Sequence, residues 1–291
     1  GAAGLEQVNI RLFTPLLPML SELAENFSEI LAAHRGRTVL EVKYDGARLQ
    51  IHKSRDVVRI WSRRLTEVTS SLPDIVATTR ALKGESFILD GEVVAMGKGN
   101  RPLPFQDLMR RFRRVHDVEA TVKEIPLALY LFDCLLLDAQ PLVDEPYDRR
   151  WANLESLTGG SFLAKKLIVS EEHEARVFLE EALAQGHEGV MAKDPSSTYE
   201  PGSRGKRWFK LKPSVTVDCV IVASDWGSGR RRGWLSNYHL AVIDDDGGFA
   251  PVGKTFRGLT DQEFGQMTAR LKALALDDNG YTVVVRPEIV V

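Results

Sequence analysis

The chain has 291 residues, 44% of them hydrophobic and 27% charged, with a formal net charge of −2. Those figures fit a globular chain with a real core and length for two domains. They exclude a globally basic coat, so any nucleic-acid surface must be local. Three basic runs are candidates: Arg110, Arg111, Arg113 and Arg114; Arg204, Lys206, Arg207, Lys210 and Lys212; and Arg230, Arg231 and Arg232. Taken singly, each reads as a solvated face. Cys134 and Cys219 are the only cysteines, and neither sits in a CxxC pair. That argues against a cysteine zinc module and fits a reducing compartment. No stretch approaches the roughly 20 apolar residues of a membrane span, and no secretory leader is visible. The first residue is Gly1, so the chain reads as a processed or excised fragment.

Residues 19–33 carry Leu20, Leu23, Phe27, Ile30 and Leu31 at helical spacing. Residues 38–54 read as two strands around Asp45-Gly46, and 57–63 alternate as a third. Residues 72–82 read as a helix with Pro73 in its first turn. Residues 87–95 are an apolar strand interrupted by Asp90, Gly91 and Glu92. Phe105, Leu108, Met109, Phe112 and Val115 share one helical face, which leaves the four neighbouring arginines mostly on the other. Residues 127–137 read as a buried strand, 148–157 and 171–185 as helices, and 188–193 and 208–212 as short strands. Pro213 ends the last of these.

Beyond Pro213 the texture changes. Strands are expected over 215–224, 238–243, 249–256 and 281–286, with a turn at 245–248. Thr260 caps a helix running to about Leu276, and Glu263 completes a capping box. Four strands and one helix suggest a small barrel that wants a fifth strand. The chain stops at Ile289-Val290-Val291, so the barrel is expected to have lost its last strand to truncation.

The most informative residue is Lys43, in Lys43-Tyr44-Asp45-Gly46-Ala47-Arg48, flanked by apolar Val39, Val42, Leu49 and Ile51. The plain reading makes Asp45-Gly46 a hairpin turn and Lys43 a solvated strand residue. The chemical reading makes Lys43 a nucleophile. That role needs a rigid strand end, a turn that lifts the amine to a ligand, and charge that favours its neutral form. An unperturbed lysine has a pKa of about 10.4, so near pH 7 exposing the neutral amine costs about 4.6 kcal/mol. Neighbouring cations lower that cost, and Arg48, Lys210, Lys212 and a bound metal are candidates.

Further charged motifs follow in order: Ser62-Arg63, Asp90-Gly91-Glu92, Phe132-Asp133, Glu188 to Lys193, and Trp208-Phe209-Lys210-Leu211-Lys212. A carboxylate such as Glu92 in an apolar strand must be paired, either by a structural ion pair or by a ligand. Lys210 and Lys212 share one strand face with Trp208, which also suits an edge strand kept soluble by lysines. Lys193 follows Glu188 by five, so a bulge or strand end must re-aim one of them. Phe132 reads as core, and Arg204 as a solvated loop residue.

With all six motifs in order, the chain resembles the covalent nucleotidyltransferases and, among them, the ATP-dependent DNA ligases of bacterial and archaeal cellular type. The resemblance covers nearly the whole chain. It implies an α+β fold, with a nucleotidyltransferase (adenylation) domain of ATP-grasp-like antiparallel sheets and helices over residues 1–213. A small OB-fold β-barrel over residues 214–291 follows, lacking its final strand and last motif, and a preceding helical DNA-binding domain is absent. It implies ATP as substrate, AMP as a covalent intermediate on Lys43, and Mg²⁺. The implied partner is nicked double-stranded DNA, bound by a monomer with no membrane, in the nucleoid-associated cytoplasm.

The same resemblance implies site roles. Glu92 and Glu188 line the nucleotide and metal site, with Asp45 either joining them or only making the turn. Phe132 stacks on adenine while Glu41 reads the base edge. Arg48 and Arg63 contact ribose and phosphates, Lys210, Lys212 and Arg204 contact phosphates, and Lys193 joins the nucleotide site. The family's final OB motif orients the leaving pyrophosphate, so slow self-adenylation from ATP is expected.

Two other classes share these features. An RNA ligase or mRNA-capping guanylyltransferase would use the same lysine with another base or acceptor. A non-catalytic nucleotide- or DNA-binding module would bind without forming an adduct. An NAD-dependent ligase is disfavoured because no zinc-binding cysteine cluster follows.

Overall fold

A computed structural model describes residues 10–113, 118–213, 216–256 and 258–291. The fold is α+β, and the chain divides into two compact units, Gly1–Pro213 and Ser214–Val291.

The first unit is built on two five-stranded sheets. Sheet I has the order β1 (Leu20–Leu23), β10 (Arg204–Leu211), β9 (Gly189–Lys193), β2 (Thr38–Lys43), β8 (Lys166–Val169). Only the β1–β10 pair is parallel. Sheet II is antiparallel, in the order β4 (Val57–Ser62), β3 (Ala47–Ser54), β5 (Ser86–Ala95), β6 (Leu127–Leu137), β7 (Gln140–Pro141). One hydrophobic cluster runs through both sheets, with Val39, Leu40, Ile51, Leu89 and Leu131 all fully buried. Such burial drives the association at roughly 25 cal/mol per Å² of apolar surface.

The residues expected to form a hairpin do something else. β2 and β3 do not pair; they belong to different sheets. Tyr44-Asp45-Gly46 is the passage from sheet I to sheet II. Tyr44 is buried and stacks on Tyr130 with ring centroids 3.8 Å apart. Its hydroxyl accepts from the Lys165 backbone N–H at 3.1 Å. These contacts draw the segment out of the tight turn that Asp-Gly would make in isolation. A Cβ on Gly46 would fall 2.2 Å from the Val93 carbonyl oxygen, so only glycine lets the chain pass β5 this closely.

Other expectations shift as well. The span 19–33 is a strand followed by a helix, α1 (Phe27–Ala33), whose N-cap Asn26 accepts from the Glu29 N–H at 2.9 Å. β5 runs unbroken through Asp90, Gly91 and Glu92. Helix α2 (Pro73–Arg80) starts at its proline as expected. Helix α3 (Phe105–Arg113) buries one of the arginines expected on its solvated face. Arg111 is 1% exposed and ion-paired to Asp74 at 2.6 Å, and it donates to the Ile125 carbonyl at 2.8 Å. Arg110 is exposed and pairs with Glu124. Arg114 and Val115 lie outside the described residues. α4 (Val118–Glu124), β7 and β8 carry too little periodicity to be read in advance. α5 (Tyr147–Thr158) and α6 (Glu172–Ala184) lie near the expected positions.

Among the described residues the second unit has five strands, in the order β13 (Phe249–Thr255), β12 (Leu235–Ile243), β11 (Val220–Trp226), β15 (Thr282–Val285), β14 (Ala275–Asp278). Helix α7 (Asp261–Ala273) has its Thr260–Glu263 capping box in place. The count of strands is therefore five rather than four, because residues read as the end of the helix form β14. The terminal apolar run pairs back on the chain: Val291 and Cys219 exchange backbone hydrogen bonds at 2.8 and 2.9 Å. The third basic run is partly engaged, with Arg230 on Asp261 and Arg231 on the Phe256 carbonyl and the Phe264 ring.

Arg111 is the buried member of its pair, while Asp74 stays partly exposed. Arg111→Ala removes a fully buried side chain and its bonds to Asp74 and the Ile125 carbonyl, and is expected to lower the unfolding free energy of the chain by about 2 kcal/mol in urea titration, whereas a solvated arginine would change it by under about 0.5 kcal/mol.

Candidate functional site

The strand registers assemble a cleft between the two sheets. In sheet I, Glu41 stands opposite Met191, and Met191 opposite Lys210. Val39 stands opposite Lys193, and Lys193 opposite Trp208. Lys43 stands opposite Gly189. The two-residue period of a strand puts Glu41, Lys43, Met191, Lys193, Trp208 and Lys210 on one face. All six line a cleft of about 770 Å³.

Sheet II supplies the other wall. Arg48 stands opposite Glu92, and Glu92 opposite Tyr130. Along β6 the partner of Asp90 is Asp133 and that of Gly91 is Leu131, so Phe132 is skipped. Phe132 is therefore the extra residue of a β-bulge, a device that re-aims a side chain. It lines the cleft with Arg48 and Glu92.

Lys43 ends β2, and its Nζ is in hydrogen-bond contact with Glu188. The other Glu188 oxygen accepts from Lys212 Nζ at 2.9 Å. Burial acts to raise the Glu188 carboxyl, but the bonds from Lys43 and Lys212 outweigh it and hold it below its ordinary value. Burial lowers the Lys210 ammonium, and the nearby charges of Lys43, Arg204 and Lys212 push it the same way. Burial also dominates at Glu92, pushing its carboxyl up to about 8 against the pull of Arg48 and Lys43.

The odd spacing of Glu188 and Lys193 is resolved at the strand end. Glu188 lies just before β9, and Gly189 opens the strand at φ +149°. A Cβ there would sit 2.4 Å from the Leu211 carbonyl oxygen. The glycine lets Glu188 leave the alternation and face Lys43, while Lys193 keeps the strand face.

Lys193 is 1% exposed. Its Nζ lies 2.9 Å from Glu41 and 3.2 Å from the Phe132 carbonyl oxygen, over the rings of Phe132 and Trp208. Burial lowers this ammonium, and Glu41 opposes the shift. The second Glu41 oxygen accepts from the Tyr147 hydroxyl.

Arg48 is more committed than its sequence position suggests. It pairs with buried Asp90 at 2.7 Å and donates to the Met19 carbonyl at 2.6 Å and to the Tyr199 hydroxyl at 3.1 Å. Arg63, Arg204 and Asp45 line the cleft, with Arg204 donating to the Ser21 carbonyl at 2.7 Å. Tyr147, Arg150 and Tyr199 escape a sequence reading. Their neighbours are fixed by tertiary contact alone, and Asp133 belongs to a motif singled out above without a role of its own.

The expected metal donors do not form a closed site. Among the described residues no three His, Cys, Asp or Glu side chains converge on a common metal position. Glu92, Glu188 and Asp45 all line the cleft. Glu92, with its carboxyl raised by burial, would regain its charge beside a cation. That suits a hard ion that keeps waters and shares its shell with a ligand's oxygens.

The family model described as the ATP dependent DNA ligase domain matches residues 18–212. The chain belongs to the ATP-dependent DNA ligase family. A probable DNA ligase of Anaeromyxobacter sp. (strain K) is 46% identical to it over 293 residues, covering 100% of this chain and 57% of the relative. A DNA ligase of Thermococcus onnurineus (strain NA1) is 43% identical over 297 residues, covering 100% and 53%. The chain thus spans little more than half the length of these curated relatives. Among solved structures, the ligase domain of M. tuberculosis LigD has a TM-score of 0.56 and 24% identity, over 94% of this chain and 87% of that one. At that identity the likeness shows the shared fold. No helix among the described residues of this ligase-family chain is long and apolar enough to cross a membrane.

The raised Glu92 carboxyl has a consequence for stability. Below about pH 4.5 it is protonated both folded and unfolded, and its contribution is complete. As pH rises towards about 8 the unfolded chain ionises first, so that contribution is lost, and above that value the loss is constant. Glu92→Gln carries no such proton. In buffer free of metal and nucleotide, the stability of the wild type relative to E92Q should fall between about pH 5 and pH 8 and then level off. Urea unfolding across that range checks it, and a pH-independent difference would contradict it.

Proposed function

We propose that the chain is the catalytic part of an ATP-dependent DNA ligase, with Lys43 as its nucleophile. The observation that carries this reading is the seat of Lys43: a strand end inside the cleft, against a carboxylate that Lys212 also holds. The Lys43 amine gives up a proton and attacks the α-phosphorus of ATP. A phosphorus–nitrogen bond forms, the bond to the bridging oxygen breaks, and pyrophosphate leaves. AMP then passes to the 5′-phosphate of a nick, and the 3′-hydroxyl displaces it to seal the strand.

The cleft residues divide this work. Lys43 is held against Glu188, whose other oxygen Lys212 holds, and Lys210 lines the same cleft. The same lysines, with Arg63 and Arg204, face the phosphates. Phe132 offers a ring to the base, and Glu41 with Lys193 offers an acceptor and a donor to its edge. Arg48, locked on Asp90, forms the floor below the ribose. Mg²⁺, held by Glu92 and Glu188 with Asp45 at the rim, would neutralise phosphate charge as pyrophosphate departs. The mycobacterial DNA ligase D of similar fold is known complexed with ATP.

We assign adenylation to residues 1–213 and read 214–291 as an OB-fold unit. Its meander, helix and returning strands are consistent with that architecture. Nicked duplex DNA is the partner of a monomer working in the nucleoid-associated cytoplasm.

Incubation with ATP and Mg²⁺ followed by intact mass and peptide mapping tests the reading. A single AMP adduct on the Lys43 peptide is expected, lost entirely in Lys43→Ala. An undiminished adduct in K43A would remove Lys43 from its role, and label retained from GTP rather than ATP would point to capping chemistry. DNA affinity should fall at least about tenfold between roughly 50 and 200 mM salt, because phosphate contacts release counterions. A flat response in a binding titration would contradict the DNA assignment.

A further inference from the structure

Helix α5 does not line the cleft, yet its first turn grips both walls of it. Tyr147 and Arg150 stand three residues apart, on one side of the helix, and both are fully buried. Tyr147 donates from its hydroxyl to Glu41 on sheet I. Arg150 makes a bidentate pair with Asp133 on sheet II, at 2.7 and 3.1 Å. Asp133 directly follows the bulged Phe132. The turn is itself fixed: the Ser197 carbonyl accepts from the Tyr147 N–H at 2.8 Å and from Arg150 Nη1 at 2.9 Å.

We propose that Tyr147 and Arg150 are positioning residues that set the affinity and the purine selectivity of the nucleotide site. The proposal rests on the reading of the cleft as a nucleotide site. A bulged residue has no ladder partner to fix it. Phe132 is held instead by Lys193, which donates to its carbonyl at 3.2 Å, and by its neighbour Asp133, which the Arg150 fork orients and whose Oδ1 also accepts from the Cys134 N–H at 3.0 Å. A fully buried ion pair is a poor source of stability compared with apolar residues of the same volume, and fixing register is its best-attested use.

Selectivity follows from Glu41. Tyr147 donates to one of its oxygens and Lys193 to the other. The carboxylate then offers the cleft only lone pairs, at fixed angles. A 6-amino purine can donate to them, whereas a 6-oxo purine meets acceptor against acceptor. Without the Tyr147 hydroxyl the carboxylate is free to turn, and the preference weakens.

Calorimetric titration with ATP and with GTP tests this on the wild-type chain, Y147F, R150K, F132A and F132A/R150K, each checked for a native melt. Tyr147→Phe should weaken ATP binding about tenfold and GTP binding little, so the ATP preference falls by the same factor. Arg150→Lys keeps the charge but not the fork. It should weaken both nucleotides about fivefold in the wild-type background and add nothing in F132A, because both changes act through one ring. The rate of adduct formation at saturating ATP should stay within about twofold. If R150K fails to fold, Asp133→Asn replaces it under the same requirement. Equal losses for ATP and GTP in Y147F, or a full R150K effect in F132A, would overturn the proposal. If the wild type binds no nucleotide, or F132A binds as tightly as the wild type, the reading of the cleft fails and this proposal with it. If F132A weakens binding while Y147F and R150K do nothing, only the proposal falls.

Discussion

The structure of the first unit depends on one close passage of backbone against backbone. At Gly46 the chain leaves sheet I and enters sheet II by sliding past the Val93 carbonyl, where a side chain would need the space the carbonyl occupies. Everything in the cleft is referred to that point. Lys43 is three residues before it on one sheet, Arg48 two residues after it on the other, and Glu92 beside Val93 on the strand it passes. A looser crossing would move the lysine relative to Glu92 without changing either sheet. Tyr44 secures the passage from the buried side through its stack on Tyr130 and its bond to Lys165. The residue between the lysine and the aspartate is therefore a structural tether.

The cleft is electrostatically balanced by short chains of alternating charge. Lys43, Glu188 and Lys212 form one, and Lys193, Glu41 and the Tyr147 hydroxyl another. Each carboxylate is shared by two donors, which fixes its direction. Glu92 differs from both. Its surroundings favour the neutral acid, so the cleft is short of one positive charge at that spot. On the reading proposed above, a divalent cation beside Glu92 would make up that shortfall. Ligand binding then completes a charge pattern that the protein alone leaves unfinished.

Much of this was legible in the amino-acid order, and the parts that were not share a cause. Strands with long apolar runs, such as 127–137, and helices with explicit caps, such as that after Thr260, stand where their local chemistry puts them. The Asp45-Gly46 signal correctly marks a change of direction, but local propensity cannot say which strand comes next to which. Pairing partners were settled by burial, and nearly every residue of β2 is buried. The arginine run on α3 shows the same limit: helical periodicity places Arg111 away from the apolar stripe, whereas Asp74 on α2 and the Ile125 carbonyl receive it in the interior. The motif residues were found because their types and order are unusual. Tyr147 and Arg150 were missed because a tyrosine and an arginine at the start of a helix are ordinary, and only the fold shows what they hold.

Phe132 brings these strands of reasoning together. Its sequence context, an apolar run of eleven residues, makes it look like core, and a regular β6 would give it a ladder partner on β5. The bulge at Phe132 breaks that rule and leaves the ring facing the cleft, half-buried against the Lys193 ammonium. Sustaining the irregularity needs a force that acts on the neighbouring backbone, which the buried Asp133–Arg150 pair supplies. β6 carries a second bulge at Leu135, whose side chain fills the core, so what sets Phe132 apart is that its ring faces the cleft beside a fully buried ion pair. The local irregularity and the buried charge account for each other once the ring is read as a surface for a planar ligand.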